Sequence, residues 1–183
     1  MLGVMIDCSR NAVMKPKAVK QFADIIKAMG YDTLMLYTED TYEVDGQPLF
    51  GCMRGKYTKK ELREIDEYCT EIGIELVPCI QTLAHLNCMF KWSEYAGIND
   101  CDDIMFVEDE KTYKLIESMI SSVSQSFLSK KIHIGMDEAY RVGTGKYKDI
   151  HGEGDRFEII NRHLHRVCEI AEKYGLKPMI WSD

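Results

Sequence analysis

The feature that most constrains the fold is a regular alternation of short apolar runs with amphipathic segments. Apolar runs suited to β-strands occur in five places, at residues 3–7, 33–37, 74–78, 131–137 and 178–181. Segments with helical periodicity occupy the four intervals between them, at residues 16–29, 58–72, 112–127 and 155–174. Strands that alternate with helices are typical of parallel βα units, because a parallel connection needs a crossover. The sequence therefore predicts an α/β fold with five parallel strands and four helices.

Start and stop signals set the bounds of the predicted helices. Pro16 is favoured in the first helical turn, and Gly30 ends the same segment. Thr58 and Glu61 have the spacing of a capping box, in which each side chain satisfies a backbone N–H group of the other, and Gly73 follows that helix. These local signals support the helical reading independently of the apolar periodicity.

Polar and ionisable residues concentrate where the predicted strands end. The strand exits carry residues 7–10, 38–40, 81–85, 137–138 and 181–183, whereas the strand entries carry only turn residues. In β/α barrels the functional site lies at the carboxyl ends of the strands. We therefore predict a (β/α)8 TIM-type barrel, of which only the first five strands and four helices are present. An open Rossmann-like sheet is the alternative, but no Gly-x-Gly-x-x-Gly follows the first strand.

The length of the chain bears on the completeness of this barrel. A (β/α)8 barrel typically needs about 250 residues, and this chain has 183. An incomplete barrel leaves unpaired strand edges, which invite association with other chains. We therefore expect the chain to be a portion of a larger barrel. If it is stable alone, we expect a homo-oligomer in which a second copy covers the open edges.

Composition excludes several classes of partner. The chain has 30 acidic and 23 basic side chains, a net charge of −7, which disfavours binding to phosphate backbones. Its seven cysteines form no Cys-x-x-Cys pair, so we interpret them as reduced thiols. No basic leader or long apolar segment is found. We therefore predict a cytoplasmic protein that binds neither nucleic acid nor membrane.

Two adjacent carboxylates, Asp137 and Glu138, close the fourth strand. Neighbouring Cα atoms are about 3.8 Å apart, so both side chains approach a substrate from the same side. Ordinary glycosidases instead place two carboxylates roughly 5 to 9 Å apart, flanking the scissile bond. The pair suits a reaction in which one group protonates a leaving oxygen and the other stabilises charge. Two alternatives are a helix-start pair that satisfies backbone amides and a metal-dependent hydrolase with His85 and His133 as further ligands.

Five motifs occur in order at the strand exits: Asp7-Cys-Ser-Arg10, Thr38-Glu39-Asp40, Ala84-His85, His133-Ile-Gly-Met-Asp137-Glu138 and Trp181-Ser-Asp183. Together they resemble the catalytic barrel of glycoside hydrolase family 20, the β-N-acetylhexosaminidases. The resemblance implies that residues 1–183 are the N-terminal portion of a β/α-barrel catalytic domain. It also implies a retaining hydrolysis that needs neither cofactor nor metal, in which the acetamido oxygen of a terminal N-acetylhexosamine forms an oxazolinium intermediate. The partner would be the non-reducing end of an oligosaccharide or glycoconjugate, with GlcNAc or GalNAc left open.

The resemblance also implies roles for individual residues. Glu138 matches the general acid and base, and Asp137 matches the carboxylate that orients the acetamido group. Among the implied substrate-binding residues, Arg10 matches a clamp on the ring hydroxyls. Glu39 and His85 match a dyad that tunes the general acid, and Trp181 matches a wall of the acetamido pocket.

The chain also departs from the family pattern. The family often has Asp at the position of Glu39 and Pro-Gly in place of Leu83-Ala84. Further aromatic and acidic site residues of the family lie on strands that this chain lacks. A non-catalytic carbohydrate-binding role or an incomplete barrel fragment is therefore a second hypothesis.

Overall fold

The computed structural model describes residues 1–10 and 12–182, so Asn11 and Asp183 lie outside the described part. Its elements follow in chain order: β1 (Gly3–Asp7), α1 (Pro16–Ala28), β2 (Thr33–Tyr37), α2 (Lys59–Glu71), β3 (Glu75–Cys79), α3 (Asn87–Phe90), a 3-10 helix (Ser93–Ile98), β4 (Asn99–Cys101), β5 (Ile104–Met105), α4 (Glu110–Ser126), β6 (Lys131–His133), α5 (Lys146–His151), α6 (Arg156–Lys173) and β7 (Lys177–Met179).

Five strands form one parallel sheet in the order β1-β2-β3-β6-β7. Gly3 lies opposite Thr33, and Thr33 lies opposite Glu75, so the first three strands run in register. Each strand is added beside the previous one in the same direction, as in a β/α barrel, and β1 and β7 are the edges of this sheet. The predicted α/β class is confirmed, and the described residues form a partial barrel.

The central strands β2 and β3 bury both of their faces, which explains why these strands are largely apolar. Leu34 and Leu36 of β2 belong to the main core between sheet and helices. The alternate residues Met35 and Tyr37 point to the other face, where they form a second cluster with Val77 and Cys79 of β3. This second cluster lies on the face of the sheet opposite the main core.

The helices begin and end where the sequence signals predict. Pro16 opens α1, and Gly30 follows it with φ +91°. Both hydrogen bonds of the capping box between Thr58 and Glu61 are present at the start of α2. Gly73 follows α2 with φ +75°, a conformation that costs little for glycine. None of the helices in the described part is long and apolar enough to cross a bilayer.

Two features differ from the sequence-based expectation. The segment after β3 contains the antiparallel hairpin β4–β5 and short helix α3, and the segment after β6 contains α5; none of these was predicted. Strand β6 ends at His133 rather than near Asp137. Gly135 and Met136 have φ of +73° and +75°, so the chain leaves the extended conformation there, and the predicted alternation to Asp137 is wrong.

Candidate active site

A tight turn after β6 carries Asp137 and Glu138. Gly135, Met136 and Glu138 all have positive φ, and for Glu138 the value is +53°. Non-glycine residues rarely adopt this conformation, and it concentrates at functional sites. The next helix, α5, begins only at Lys146, so the alternative of a helix-start acidic pair is wrong.

His85 lies between the two carboxylates. Its Nε2 is 3.3 Å from Asp137 Oδ2 and 3.5 Å from Glu138 Oε2. On its other side, Asp103 Oδ2 accepts a hydrogen bond from the His85 backbone N–H at 3.1 Å and lies 3.9 Å from Nδ1. The hydrogen bond to Asp137 is the main reason that the pKa of His85 is raised, although burial opposes the shift. The neighbouring carboxylates therefore stabilise the protonated imidazole relative to a free histidine.

The side chain of Asp137 is held from two sides. Gln81 Nε2 donates to its Oδ1 at 2.7 Å, while His85 faces Oδ2. Burial raises the pKa of Asp137, but the hydrogen bonds from His85 and Gln81 outweigh burial and leave the pKa below its usual value. Asp137 is therefore ionised at neutral pH and acts as an acceptor.

Glu138 is more open than its neighbour. Its side chain is 56% exposed, against 20% for Asp137. Both residues line a pocket of about 500 Å³ together with Trp181 and Ser182. This arrangement gives one sheltered carboxylate and one at the solvent side of the same cavity.

Arg10 and Glu39 meet at the exits of β1 and β2. Arg10 Nη1 lies 3.2 Å from Glu39 Oε1, and the carboxylate is buried while the arginine is largely exposed. Burial raises the pKa of Glu39, and the Arg10 guanidinium offsets only part of this effect. Among the described residues, Glu39 contacts Arg10 and the Tyr37 hydroxyl, which donates to it at 3.5 Å. Glu39 contributes to the raised pKa of His85 through its charge, so the predicted role of the two residues in tuning Glu138 stays a prediction.

Trp181 packs beside the acidic turn. Its ring centroid lies 4.6 Å from that of His133, and its backbone N–H donates to the Gly135 carbonyl at 3.3 Å. Burial lowers the pKa of His133, so the indole packs against a neutral imidazole. The indole is 40% exposed and forms one wall of the pocket.

The structure thus brings all six predicted site residues to one rim of the sheet, and it adds three to which the sequence analysis assigned no role. Gln81 belongs to the polar strand-exit residues 81–85 that the sequence marks, and Tyr37 is the last residue of β2. Asp103 lies in the turn of the β4–β5 hairpin, which no sequence pattern predicts. Within residues 1–10 and 12–182, no group of three or more His, Cys, Asp or Glu side chains is arranged to hold a metal ion.

Comparison with known families gives one match over nearly the whole chain. Residues 2–183 match the sequence pattern of "Glycosyl hydrolase family 20, catalytic domain". Hexosaminidase D from Homo sapiens is 20% identical over 183 residues, covering 95% of this chain and 38% of the relative. Hexosaminidase D from Bos taurus is 23% identical over 183 residues, covering 95% of this chain and 53% of the relative. The chain thus spans about half or less of the length of these relatives.

Solved structures share the same fold. A chitobiase from Flavobacterium johnsoniae superposes with a TM-score of 0.84 at 23% identity, over 98% of this chain and 31% of the other. An N-acetyl-β-hexosaminidase from Streptomyces plicatus, solved in complex with thio-NAglucal, gives a TM-score of 0.81 at 24% identity, over 98% and 38%. At these identities the likeness establishes the fold, in which this chain corresponds to part of a longer chain.

Proposed function

Because the chain belongs to glycosyl hydrolase family 20, we propose that the full-length gene product removes terminal β-linked N-acetylhexosamine residues from glycans. One observation carries the proposal. Asp137 and Glu138 open side by side into one pocket, next to Trp181 and in contact with His85. Adjacent carboxylates cannot flank a glycosidic bond, so the nucleophile has to come from elsewhere, and in this family the substrate's own acetamido group supplies it.

Asp137 suits the role of acceptor for the acetamido N–H. It is ionised and partly sheltered, so it attracts a positive charge more strongly than an exposed carboxylate would. When the acetamido carbonyl oxygen bonds to the anomeric carbon, positive charge develops on the resulting oxazolinium ring. A fixed negative group at this place stabilises the transition state more than the ground state.

Glu138 suits the role of proton donor at the open side of the pocket, where a leaving group can depart. In the first step its proton goes to the glycosidic oxygen as the bond to the anomeric carbon breaks and the leaving alcohol departs. In the second step the Glu138 carboxylate takes a proton from water as the water oxygen attacks the anomeric carbon. The bond from this carbon to the acetamido oxygen breaks, and the oxazolinium ring opens. His85, 3.5 Å from the Glu138 carboxylate, is placed to assist this change of protonation state.

Arg10 and Trp181 suit substrate binding. The guanidinium of Arg10 is exposed at the rim, and its Nη1 contacts Glu39. A guanidinium has five N–H donors, so others are left to bind the ring hydroxyls of the substrate. The half-exposed Trp181 indole offers an apolar surface beside Asp137, where the acetamido methyl would lie.

An assay with aryl β-N-acetylglucosaminide and β-N-acetylgalactosaminide tests this proposal and separates its alternatives. We expect release of the aryl group that is insensitive to a chelator. Release that the chelator abolishes would favour the metal-dependent hydrolase, and binding of N-acetylglucosamine without turnover would favour the non-catalytic carbohydrate-binding protein.

Glu138→Gln in the full-length gene product tests the acid and base assignment. We expect this variant to lose at least a hundredfold in kcat, while it still binds a thiazoline analogue of the oxazolinium intermediate. Glu64→Gln is the matched control, because its side chain is 57% exposed and lies on α2, away from the pocket. Turnover of Glu138→Gln equal to that of Glu64→Gln would exclude the assignment.

We also propose a cytoplasmic location, on the ground that all seven cysteines are free thiols. Cell fractionation tests this, and recovery from a secreted fraction would contradict it. If residues 1–183 are stable alone, a homo-oligomer that covers the sheet edges at β1 and β7 stays a prediction. Sedimentation of the purified protein checks it, and a strictly monomeric species would refute it.

A further inference from the structure

Gln81 is a fully buried polar side chain at the centre of the site. Its Nε2 donates to Asp137 Oδ1 at 2.7 Å and to the Tyr37 hydroxyl at 2.9 Å. Its Oε1 accepts from the Met136 backbone N–H at 3.2 Å. All of its strong hydrogen-bonding capacity is therefore directed at the acidic turn and at one neighbouring tyrosine.

The orientation of the Gln81 amide is fixed by its partners. A backbone N–H can only donate, so the Gln81 atom that faces Met136 has to be the oxygen. The nitrogen then faces Asp137, which accepts the bond as a carboxylate. The close fit also requires glycine at position 135, because a Cβ there would lie 2.1 Å from Gln81 Oε1.

Gln81 and His85 together hold both oxygens of Asp137. Gln81 binds Oδ1 and His85 faces Oδ2, so the carboxylate group cannot rotate without losing a contact. Each carboxylate oxygen has two lone pairs, so an acceptor site stays available for a substrate N–H.

The second N–H of Gln81 extends the network toward the other end of the site. It donates to Tyr37, whose hydroxyl in turn donates to Glu39 at 3.5 Å, and Glu39 pairs with Arg10. A chain of hydrogen bonds therefore joins the arginine at the β1 exit to the carboxylate after β6.

We propose that Gln81 is a positioning residue that holds Asp137 as a hydrogen-bond acceptor and fixes its orientation toward the 2-acetamido group of the substrate. The inference rests on the proposed function for its substrate, but the contacts of Gln81 stand independently of it. A purely structural role for Gln81 would affect folding without changing how activity depends on pH.

Gln81→Glu is the most informative variant, because it keeps the size and shape of the side chain. The protonated acid can donate to Asp137 as the amide does, whereas the ionised acid places a second negative charge beside it. We expect the alkaline limb of the kcat/KM pH profile to move at least one pH unit toward acid. Gln81→Met, which has no donor, should lose at least tenfold in kcat/KM at every pH.

Thr82→Val is the matched control for loss of a buried hydrogen bond. Thr82 is fully buried, and its hydroxyl donates to the Ile134 carbonyl at 2.8 Å, without touching Asp137. We expect this variant to melt at a lower temperature with the wild-type pH profile. A Gln81→Glu profile that coincides with that of Thr82→Val would overturn the inference.

A titration of 13C-labelled aspartate carboxyls separates this inference from the proposed function. If the wild-type protein releases no sugar, the proposed function fails, and the titration alone decides the role of Gln81. We expect the midpoint for Asp137 to rise by at least one pH unit in Gln81→Met and to stay in place in Thr82→Val. An unchanged midpoint in Gln81→Met would overturn the inference.

Discussion

Gly135→Ala is a single-atom test of how the acidic turn is held. Gly135 has φ +73°, and a Cβ there would lie 2.1 Å from Gln81 Oε1 and 2.8 Å from the Ile80 carbonyl oxygen. The Ile80 oxygen belongs to the backbone directly after β3, whereas Gln81 Oε1 is the end of a side chain, so the Gln81 side chain has to give way. The substitution therefore disconnects Gln81 from the turn without changing any polar residue.

The expected cost follows from the contacts that are lost. Placing alanine in the left-handed conformation costs roughly 1 kcal/mol. Displacing Gln81 breaks the bond from the Met136 N–H, worth about 1 kcal/mol, and the bond to the ionised Asp137, worth about 2 kcal/mol. We expect a loss of about 4 kcal/mol in the free energy of unfolding, a large part of the 5 to 15 kcal/mol that is typical of a folded domain.

Urea denaturation of the full-length gene product measures this loss, and Gly46→Ala provides the control. Gly46 has nearly the same φ, +72°, but a Cβ there meets nothing within 4 Å. The control therefore isolates the backbone cost, which we expect to be about 1 kcal/mol with activity unchanged. If Gly135→Ala costs no more than Gly46→Ala, the reasoning about the Gln81 contact is refuted.

Two further predictions concern the buried side chains Asp40 and His163. Arg54→Met leaves the buried Asp40 without its partner, whose Nε lies 3.0 Å from Asp40 Oδ1. The free energy of unfolding measured in urea should fall by about 3 to 5 kcal/mol. Adding Asp40→Asn to this variant should recover part of the lost stability, and no recovery would contradict the pairing. His163 is fully buried, and burial lowers its pKa to about 4. The pKa of His163 in the folded state lies below its unfolded value, so its contribution to the stability of the fold is complete above about pH 6.5. This contribution falls toward pH 4, by on the order of 3 kcal/mol. The acid unfolding of His163→Gln should lack this loss of stability, and an unaltered acid transition would disprove the prediction.

Much of the fold was predictable because its signals are local. The bounds of β2 agree with the prediction, and α2 begins at the capping box. Apolar periodicity located the main helices to within about two residues. These patterns depend on neighbours three or four positions apart, which a single sequence displays directly.

The parts that were not predicted depend on contacts between distant residues. The β4–β5 hairpin is tied to the segment after Glu138 by Asp100, which accepts from the backbone N–H of Gly143 at 2.8 Å and of Tyr147 at 2.6 Å. No local sequence pattern around Asp100 predicts such a contact. The early end of β6 has a similar cause, because the turn at Gly135 is shaped around Gln81, more than fifty positions earlier.

The candidate site was predictable as a set of residues, but its pairings were not. The order of polar motifs at strand exits indicated which side chains share the rim. Whether Glu39 would face His85 or Arg10 depends on side-chain directions that spacing does not fix. The structure pairs Glu39 with Arg10, and it places Asp103 beside His85 as a third carboxylate after Asp137 and Glu138.

The dependence of turnover on the basicity of the substrate's own amide tests the central claim most directly. Aryl β-glycosides that carry acetyl, fluoroacetyl, difluoroacetyl and trifluoroacetyl groups on the 2-amino nitrogen form such a series. If the acetamido oxygen is the nucleophile above Asp137 and Glu138, kcat/KM should fall steeply with each added fluorine. A rate that does not change across the series would show that another nucleophile acts, and it would contradict the account.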